Sequence, residues 1–517
     1  MKFFTFGLFL LIQFSVLFAQ NKLLPMQSFY KDQLFANKGQ SAYLGGDFFP
    51  INETEYNLIP LINDSSKQYY DFTETLFKKH LFEIRGDNFS LDISPIFDFS
   101  AGKDVLDTSN RTLFQNTRGA IVSGELGNNF SFSTSFYENQ ARFTNYQSSF
   151  YQGRGELYPG ATSYQSQNAV IPGGARTKPF KEDAFDYAFA LGYISYTPTK
   201  DIRITAGNNP HFIGSGHRSL LVSDNSYASP YLKIDYQITK WFKFEYLRTR
   251  LINLIRRPVT SSVEAYYETK GFSVNYLTFK PSASISISLF EGTVWNRGDS
   301  IKSTYSHPMI YNPIPFLSPL ILDHGSEVYS IYGLNWSAQV NDNNRIYGQV
   351  ASALFSEDLT PAIQLGYRGY RFFGINDLMI QLELNTVPNS LYHNRSNQRL
   401  NYSHYNLPIA HIQGSGFNEA LGRFNYEYKR MYIDETVSYY RVEDRETLNL
   451  LSVSIVDPTP TRSFMISKTE VGYRFNRKMN LCLFGSLLIR SGDVVNDNTI
   501  ALFAGLKTNI FNQYSNF

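Results

Sequence analysis

The chain is 517 residues long with a formal net charge of +2, too small a basic excess to serve a nucleic-acid partner. Its one cysteine, Cys482, excludes an internal disulfide, and with it a small stapled secreted domain. Aromatic residues are numerous (37 Tyr, 43 Phe) while the mean hydropathy is −0.28; a soluble all-β protein hides its aromatics in a core, whereas a transmembrane barrel sets them in girdles around a polar lumen.

Residues 1–20 read MKFFTFGLFLLIQFSVLFAQ. Lys2 supplies a positive start, Phe3 to Phe18 an apolar run, and Leu17 with Ala19 a permissible cleavage site, which reads as a secretory signal peptide over 1–19. As an uncleaved anchor the stretch is at the short end for a spanning helix, and no later run is long and apolar enough to be one. Residues 20–86 form an N-terminal periplasmic or plug segment. Met26, Phe29, Tyr30, Leu34 and Phe35 approach helical spacing, and Asp71 with Glu74 makes a capping box ahead of Leu76, Phe77 and His80. Short helices are expected there; residues 37–66 read equally well as a flexible extension.

From residue 87 to 517 the period becomes two. In NFSLDISPIFDFS, Phe89, Leu91, Ile93, Phe97 and Phe99 fall on one face and Ser90, Asp92, Ser94 and Asp98 on the other. The alternation recurs at Phe130, Phe132 and Phe136; at Tyr187, Phe189, Leu191 and Tyr193; and at Ile285, Ile287 and Leu289. Leu378, Ile380, Leu382 and Leu384 alternate with Gln381, Glu383 and Asn385, and Phe424, Tyr426 and Tyr428 with Arg423, Asn425, Glu427 and Lys429. Charges on the inner face of strand after strand would be ruinous in a sandwich core and are ordinary in a water-filled lumen. The expectation is an all-β fold, a transmembrane antiparallel β-barrel of about 18 strands in a bacterial outer membrane, with inward-folded loops.

Short turns are expected at Gly127–Asn129, Asn341–Asn344 and Asn476–Lys478, and long loops at 143–183, 296–327 and 387–416. The last strand begins near Ile500 and runs toward the aromatic Phe517, a supportive sign of an outer-membrane barrel. Phe517 shares parity with Lys507 and Asn509 rather than with Leu506 and Ile510, so a bulge, or a strand that stops near Phe511, is required.

Several phrases in order along the chain carry a resemblance: IFDFSAGK (96–103), NTRGAIVSGELG (116–127), YENQARF (137–143), IPGGARTKPF (171–180), FDYAFALGYISYTP (185–198), FIGSGHRSLLVSDN (212–225), NRIYGQVA (344–351), NYSHYNLPIAHIQGSGFNEAL (401–421) and GLKTNIFNQY (505–514). On these the chain resembles the Wzi-like capsule-assembly barrels, most closely their Bacteroidota branch represented by the gliding-motility protein RemB. It departs from the pattern at Thr386 and Asn389, and in the late position of Glu357 and Asp358. The resemblance implies an outer-membrane barrel with a periplasmic helical portion, whose interior and outer loops engage surface polysaccharide, and a role in surface attachment or gliding. Its partners would be polysaccharide, outer-membrane lipid and other outer-membrane proteins; it implies no cofactor.

Two stretches hold the candidate polysaccharide-binding residues. Between Ala206 and Tyr231, the turn formers Gly207, Asn208, Pro210, Gly214 and Gly216 are interleaved with His211, His217, Arg218, Ser219, Asp224 and Asn225, which reads as polar chain folded into the barrel. The planar fork of Arg218 suits uronate carboxylates, and Asp224 and Asn225 suit sugar hydroxyls. The competing reading is a structural Arg218–Asp224 pair that locks the loop. The second stretch interleaves Asn401, Tyr402, His404, Tyr405, Asn406, His411, Asn418 and Glu419, where ring faces and amides again suit sugars, and where a packed loop plug is the plainer alternative. The spacing of His404, His411 and Glu419 fits no strong metal-ligand pattern. His217 with Ser219, or His404 with Ser403, offers hydrolase residue types, but neither GxSxG nor HExxH occurs and the chain is not read as an enzyme. The functional alternatives are a polysaccharide-binding barrel and a structural subunit of a larger outer-membrane complex.

Overall fold

The computed structural model describes residues 22–36, 47–52, 71–159, 164–174, 177–256, 267–298, 313–315, 317–353, 359–443, 461–510 and 512–517. The expected signal peptide, Glu357 and Asp358 lie outside these. Eighteen antiparallel strands close into one barrel. The first six are β1 (Phe89–Asp104), β2 (Thr112–Leu126), β3 (Phe130–Arg142), β4 (Ala184–Thr199), β5 (Ile202–Asn209) and β6 (Ser229–Gln237). Next come β7 (Phe242–Arg256), β8 (Tyr267–Ser282), β9 (Ile285–Gly298), β10 (Val328–Asn341), β11 (Asn344–Ser352) and β12 (Ala362–Tyr370). The last are β13 (Leu378–Val387), β14 (Phe417–Tyr428), β15 (Met431–Val442), β16 (Arg462–Asn476), β17 (Leu481–Gly492) and β18 (Thr499–Lys507). Each strand pairs with its neighbours in sequence, and β18 closes on β1 with Leu506 opposite Phe99.

The period of two decides which side chains meet lipid. Ile285, Ile287, Leu289, Leu382 and Leu384 are exposed on the outer wall, while Gln381, Glu383 and Asn385 are buried in the lumen. One segment inverts the expectation: Tyr187, Phe189 and Tyr193 of β4 are buried inside, and Ile194 and Tyr196 face out. The cause is the described part of the loop 143–183, which brings a short helix, Asn145–Gln152, back against this wall. Phe189 stacks on Tyr137 at 4.9 Å, and Tyr151 of the helix meets Phe185 edge-on at 6.3 Å.

Turns at one end are short, as at 127–129, 342–343 and 477–480, and the longer connections lie at the other, the arrangement in which turns face the periplasm. Loops 210–228 and 388–416 fold into the lumen and pack on each other through Leu220, Leu221, Tyr402, Leu407 and Ala410, all 0% exposed. The inside of this barrel is therefore a packed core over much of its height rather than the water-filled space the inner charges suggested. The N-terminal segment joins it: α1 (Ser28–Ala36) rests on the wall through Asp32 and Arg423 at 3.0 Å, and Phe48–Phe49 pairs as a two-residue strand with Phe212–Ile213. A second helix, α2 (Asp71–Lys78), abuts the turn after β16, where Asn476 Nδ2 donates to the Thr75 carbonyl at 3.2 Å.

β18 ends at Lys507, and the described residues after it, 508–510 and 512–517, turn inward instead of continuing the strand. Thr508 exchanges bonds of 2.9 Å with the Phe97 backbone, Asn512 Nδ2 reaches the Met26 carbonyl at 2.9 Å, and Phe517 stacks on Phe150 at 3.6 Å. Phe517 thus lies inside the barrel because the strand stops, at Lys507 rather than near Phe511, and the segment after it turns inward. The edge of β1 left open below β18 is taken by Phe82–Arg85, which pairs with Ser90–Ile93.

Candidate functional site

Loop 210–228 crosses the lumen because strand side chains catch its backbone. Gln349 Oε1 accepts from the Leu220 N–H at 2.7 Å, Gln349 Nε2 donates to the Ile213 carbonyl at 2.9 Å, and Gln364 Nε2 donates to the Arg218 carbonyl at 3.1 Å. Glu383 accepts from the N–H groups of His217 and Arg218, the latter at 3.2 Å. Gly214 has φ of +131°, and a Cβ there would sit 2.4 Å from Gln349 Nε2, so this position requires glycine.

Arg218 is 3% exposed and carries the centre of the cluster. Its Nε lies 3.3 Å from Glu419 Oε1 and its Nη2 donates to the Tyr440 hydroxyl at 3.0 Å. Glu419 also accepts from Tyr440, from Asn385 Nδ2 at 2.8 Å, and meets His411 Nε2 at 2.8 Å. Burial opposes the Arg218 charge, but Tyr440 and Glu419 beside it hold its pKa above the ordinary guanidinium value. Burial lowers His411, with Glu419 opposing, and pushes His217 well below the imidazole range, assisted by Arg423.

The anticipated Arg218–Asp224 pair does not form: Arg218 pairs with Glu419, while Asp224 accepts from Asn512 Nδ2 at 2.8 Å and from the Tyr514 hydroxyl. Residues 508–517, entering the lumen, claim the carboxylate. Asn225 Nδ2 donates to the Pro408 carbonyl at 2.7 Å, tying this loop to the second one.

In loop 388–416, residues Ser403–His404 and Leu407–Pro408 form a minimal hairpin whose turn, Tyr405 and Asn406, has φ of 51° and 55°. Lys270 Nζ donates to the Asn401 carbonyl at 2.6 Å, and His404 Nδ1 accepts from the Ile252 N–H at 3.0 Å. The Tyr405 N–H donates to the Ile252 carbonyl at 3.0 Å, Tyr402 donates to the Leu221 carbonyl at 2.9 Å, and Asn406 Nδ2 donates to the Gly155 carbonyl at 3.0 Å. Burial, with Lys270 adding to it, lowers His404 to about 3, and burial with Lys233 does the same to His211. Asn418 stands apart on the outer face, accepting from Thr386 at 3.0 Å.

The structure thus gathers His217, Arg218, His411 and Glu419 into one network and gives Asp224, Asn225, Asn401, Tyr402, His404, Tyr405 and Asn406 partners elsewhere inside the barrel. No motif marks the receiving residues Gln349, Gln364, Tyr440 and Lys270, and Glu383 was expected only as an inner-face residue, not as a loop acceptor. Their signal was parity alone, since each stands at an inward strand position. Ser219 Oγ donates to the Ile213 carbonyl at 2.6 Å and Ser403 Oγ accepts from Lys270 at 3.2 Å, so both hydroxyls are engaged with structural partners. His80, Glu83 and Asp92 lie close together among the described residues, with counter-charge from Lys22 and Arg85, each 2.5 Å from Asp92, and Lys478, 3.0 Å from Glu83.

Cavities remain beside the plug. One of about 640 Å3 borders β1–β5 toward the turn end, and another of about 240 Å3 borders β14–β18.

No protein-family model matches the chain, and no curated protein matches it. Solved structures do. Escherichia coli Wzi, an outer-membrane protein involved in group 1 capsule assembly and a carbohydrate-binding β-barrel, aligns at 12% identity with a TM-score of 0.54, over 94% of this chain and 98% of its own. This is a likeness of fold. The chain is an outer-membrane β-barrel of Wzi-like architecture. Acinetobacter baumannii OccAB2 (8% identity, TM-score 0.43, 82% of this chain and 99% of its own) and Pseudomonas aeruginosa OpdQ (9%, 0.42, 82% and 98%) are more distant barrels.

Proposed function

We propose that this barrel binds and organises surface polysaccharide at its loop end, with the infolded loops as the rigid base of the binding surface. The observation that carries the reading is a chain of bonds from the lumen wall to the exposed rim. Lys270 holds Asn401, Asn401 Oδ1 accepts from the Asn394 N–H at 2.8 Å, and Asn394 Oδ1 accepts from the N–H groups of Ser396 and Asn397 at 3.0 Å. Arg395 and Ser396 are left exposed on a fixed backbone. A guanidinium suits acidic-sugar carboxylates, and hydroxyls and amides suit sugar hydroxyls. The fold likeness to Wzi, itself carbohydrate-binding, supports the same reading. His217, Arg218, Asp224, Asn225, Tyr402, His404, Tyr405, Asn406, His411 and Glu419 serve it from beneath, by holding the loops. The resemblance of its sequence phrases to the RemB branch would extend the reading to surface attachment or gliding.

Binding of the detergent-solubilised barrel to polysaccharide extracted from its own cells is expected to be salt-sensitive and to fall severalfold in Arg395→Ala with heat-modifiable migration intact. Arg218→Ala and His404→Ala should weaken it only as far as they loosen the loops. A folded wild-type barrel that leaves the polysaccharide in solution sinks the reading.

A second reading, as a subunit of a larger outer-membrane complex, is favoured by Glu435. Its neighbours Asp434 and Thr436 face the lumen, so Glu435 faces lipid, where it accepts from Ser467 at 2.7 Å and from Thr469. A lipid-facing carboxylate destabilises an isolated barrel. If a partner covers it, Glu435→Leu should release that partner in a mild-detergent pull-down; if none does, the same change should simply raise the melting temperature.

A further inference from the structure

The outer wall of the barrel changes character part-way up β7 and β8. Near the turn end Phe242 stacks on Phe279 at 4.7 Å, and Phe244 stands opposite Leu277. Above them the outward positions of β7 are Tyr246, Arg248 and Arg250, opposite Asn275, Ser273 and Gly271 of β8. Their direction follows from their neighbours Leu247, Thr249 and Leu251, which are buried inside.

Two guanidinium groups therefore stand on the lipid side of the wall. Arg248 is held in place: its Cζ lies 4.7 Å from the centroid of the Trp295 ring, and its Nη1 donates to the Tyr246 hydroxyl at 3.2 Å. Arg250 is exposed and makes no hydrogen bond or ion pair with any described residue. The carboxylates of the adjoining strands are engaged elsewhere. Asp235 and Glu245 face the lumen, each 2.9 Å from Lys233, and Glu268, on the parity of the inward Lys270, takes Arg399 at 2.9 Å. Glu291 is on the outer face, but two strands away and one outward pair nearer the turns, where it accepts from Thr293 at 3.2 Å.

Depth points to a partner for Arg250. A strand tilted by about 40° climbs roughly 2.5 Å per residue along the barrel axis, which sets Arg250 about 20 Å above Phe242, near the far edge of an apolar band about 25 Å tall. An arginine is destabilising at mid-membrane and tolerated at that edge, where its head meets the headgroups of the outer leaflet. Arg248 and Arg250 are two positions apart on one strand face, with Cα atoms roughly 7 Å from each other, so both long side chains can reach a single group.

We propose that the outer face of β7 is a binding site for the phosphate of an outer-leaflet glycolipid, held by Arg250 with Arg248 beside it. The planar guanidinium fork matches two phosphate oxygens at once. The site lies on the lipid side of the wall and does not rest on the polysaccharide reading.

Native mass spectrometry of the detergent-solubilised full chain tests this, with lipid A bearing two phosphates and the same lipid A stripped of phosphate in separate arms. One phosphorylated lipid A per barrel is expected to be retained and the stripped lipid to be lost. Arg250→Gln, which breaks no contact of the fold, should weaken retention about tenfold, and Arg250→Lys, which keeps the charge without the fork, about threefold. Arg441→Gln removes an exposed cation from the outer face of β15 and should leave retention unchanged. Heat-modifiable migration should be intact in all three variants. Equal retention of the two lipids, no phosphorylated lipid on the folded wild-type barrel, or undiminished retention in Arg250→Gln overturns the proposal. So does an equal loss in Arg441→Gln, which would mean a diffuse attraction of anions to the whole rim.

Discussion

Glu419 shows how the interior is balanced residue by residue. Its oxygens are shared among Arg218, Tyr440, His411 and Asn385, and it is 3% exposed. Replacing it with glutamine leaves a buried guanidinium without its counter-charge, for which the expected loss is about 3–5 kcal/mol. Glu419→Gln should therefore lower the temperature of the heat-modifiable transition markedly, while Thr386→Ala, which removes the bond to Asn418 on the outer face, should barely move it. The residue types of this network were legible from the sequence, because Arg218 and Glu419 both fall in polar stretches rich in turns. Their pairing was not: the two are 201 positions apart, and no local rule says which inward carboxylate an infolded arginine will meet. Asp224 was nearer in sequence and went to residues 512 and 514 instead.

At the scale of elements, the two infolded loops carry imidazoles that are neutral when folded. His211 and His404 are held by burial at about 3, and His217 well below its ordinary value of about 6.5. A loop released from the lumen regains ordinary imidazoles, so the released state binds more protons once the pH drops below about 6.5. The sign is then fixed: stability contributed by these loops is complete above that pH and falls on acidification toward 3, by up to about 1.4 kcal/mol per pH unit for each histidine. Proteolysis of the folded barrel within 210–228 and 388–416 should accelerate between pH 7 and pH 5, and His404→Phe, which removes the proton site, should blunt the acceleration. Equal rates at both pH values would refute this. The strands themselves were readable because period two is a local signal, and turns at 127–129, 342–343 and 477–480 follow from Asn and Gly. β4 was misread in facing because an alternating aromatic row suits lipid and a packed lumen equally well. Only the fold-back of loop 143–183, a tertiary event, chose between them.

Taken whole, the molecule is two nested objects, a closed wall and a filling drawn from the N-terminal segment, three loops and residues 508–517. The wall was legible in the sequence and the filling only in part, since the inner face of a strand looks polar whether water or backbone lies against it. Closing the wall joins Phe97 to Thr508 across 411 positions, the kind of distant pairing that makes assembly slow. The ten residues beyond that seam run back through the lumen to Tyr146 and Phe150, where Phe517 is 3% exposed. Parting β18 from β1 would also break the lumen contacts of Asn512, Tyr514 and Phe517, so the seam of the wall is tied to the filling. The segment thereby acts as a bolt, adding to the barrier against opening the barrel at this strand pair.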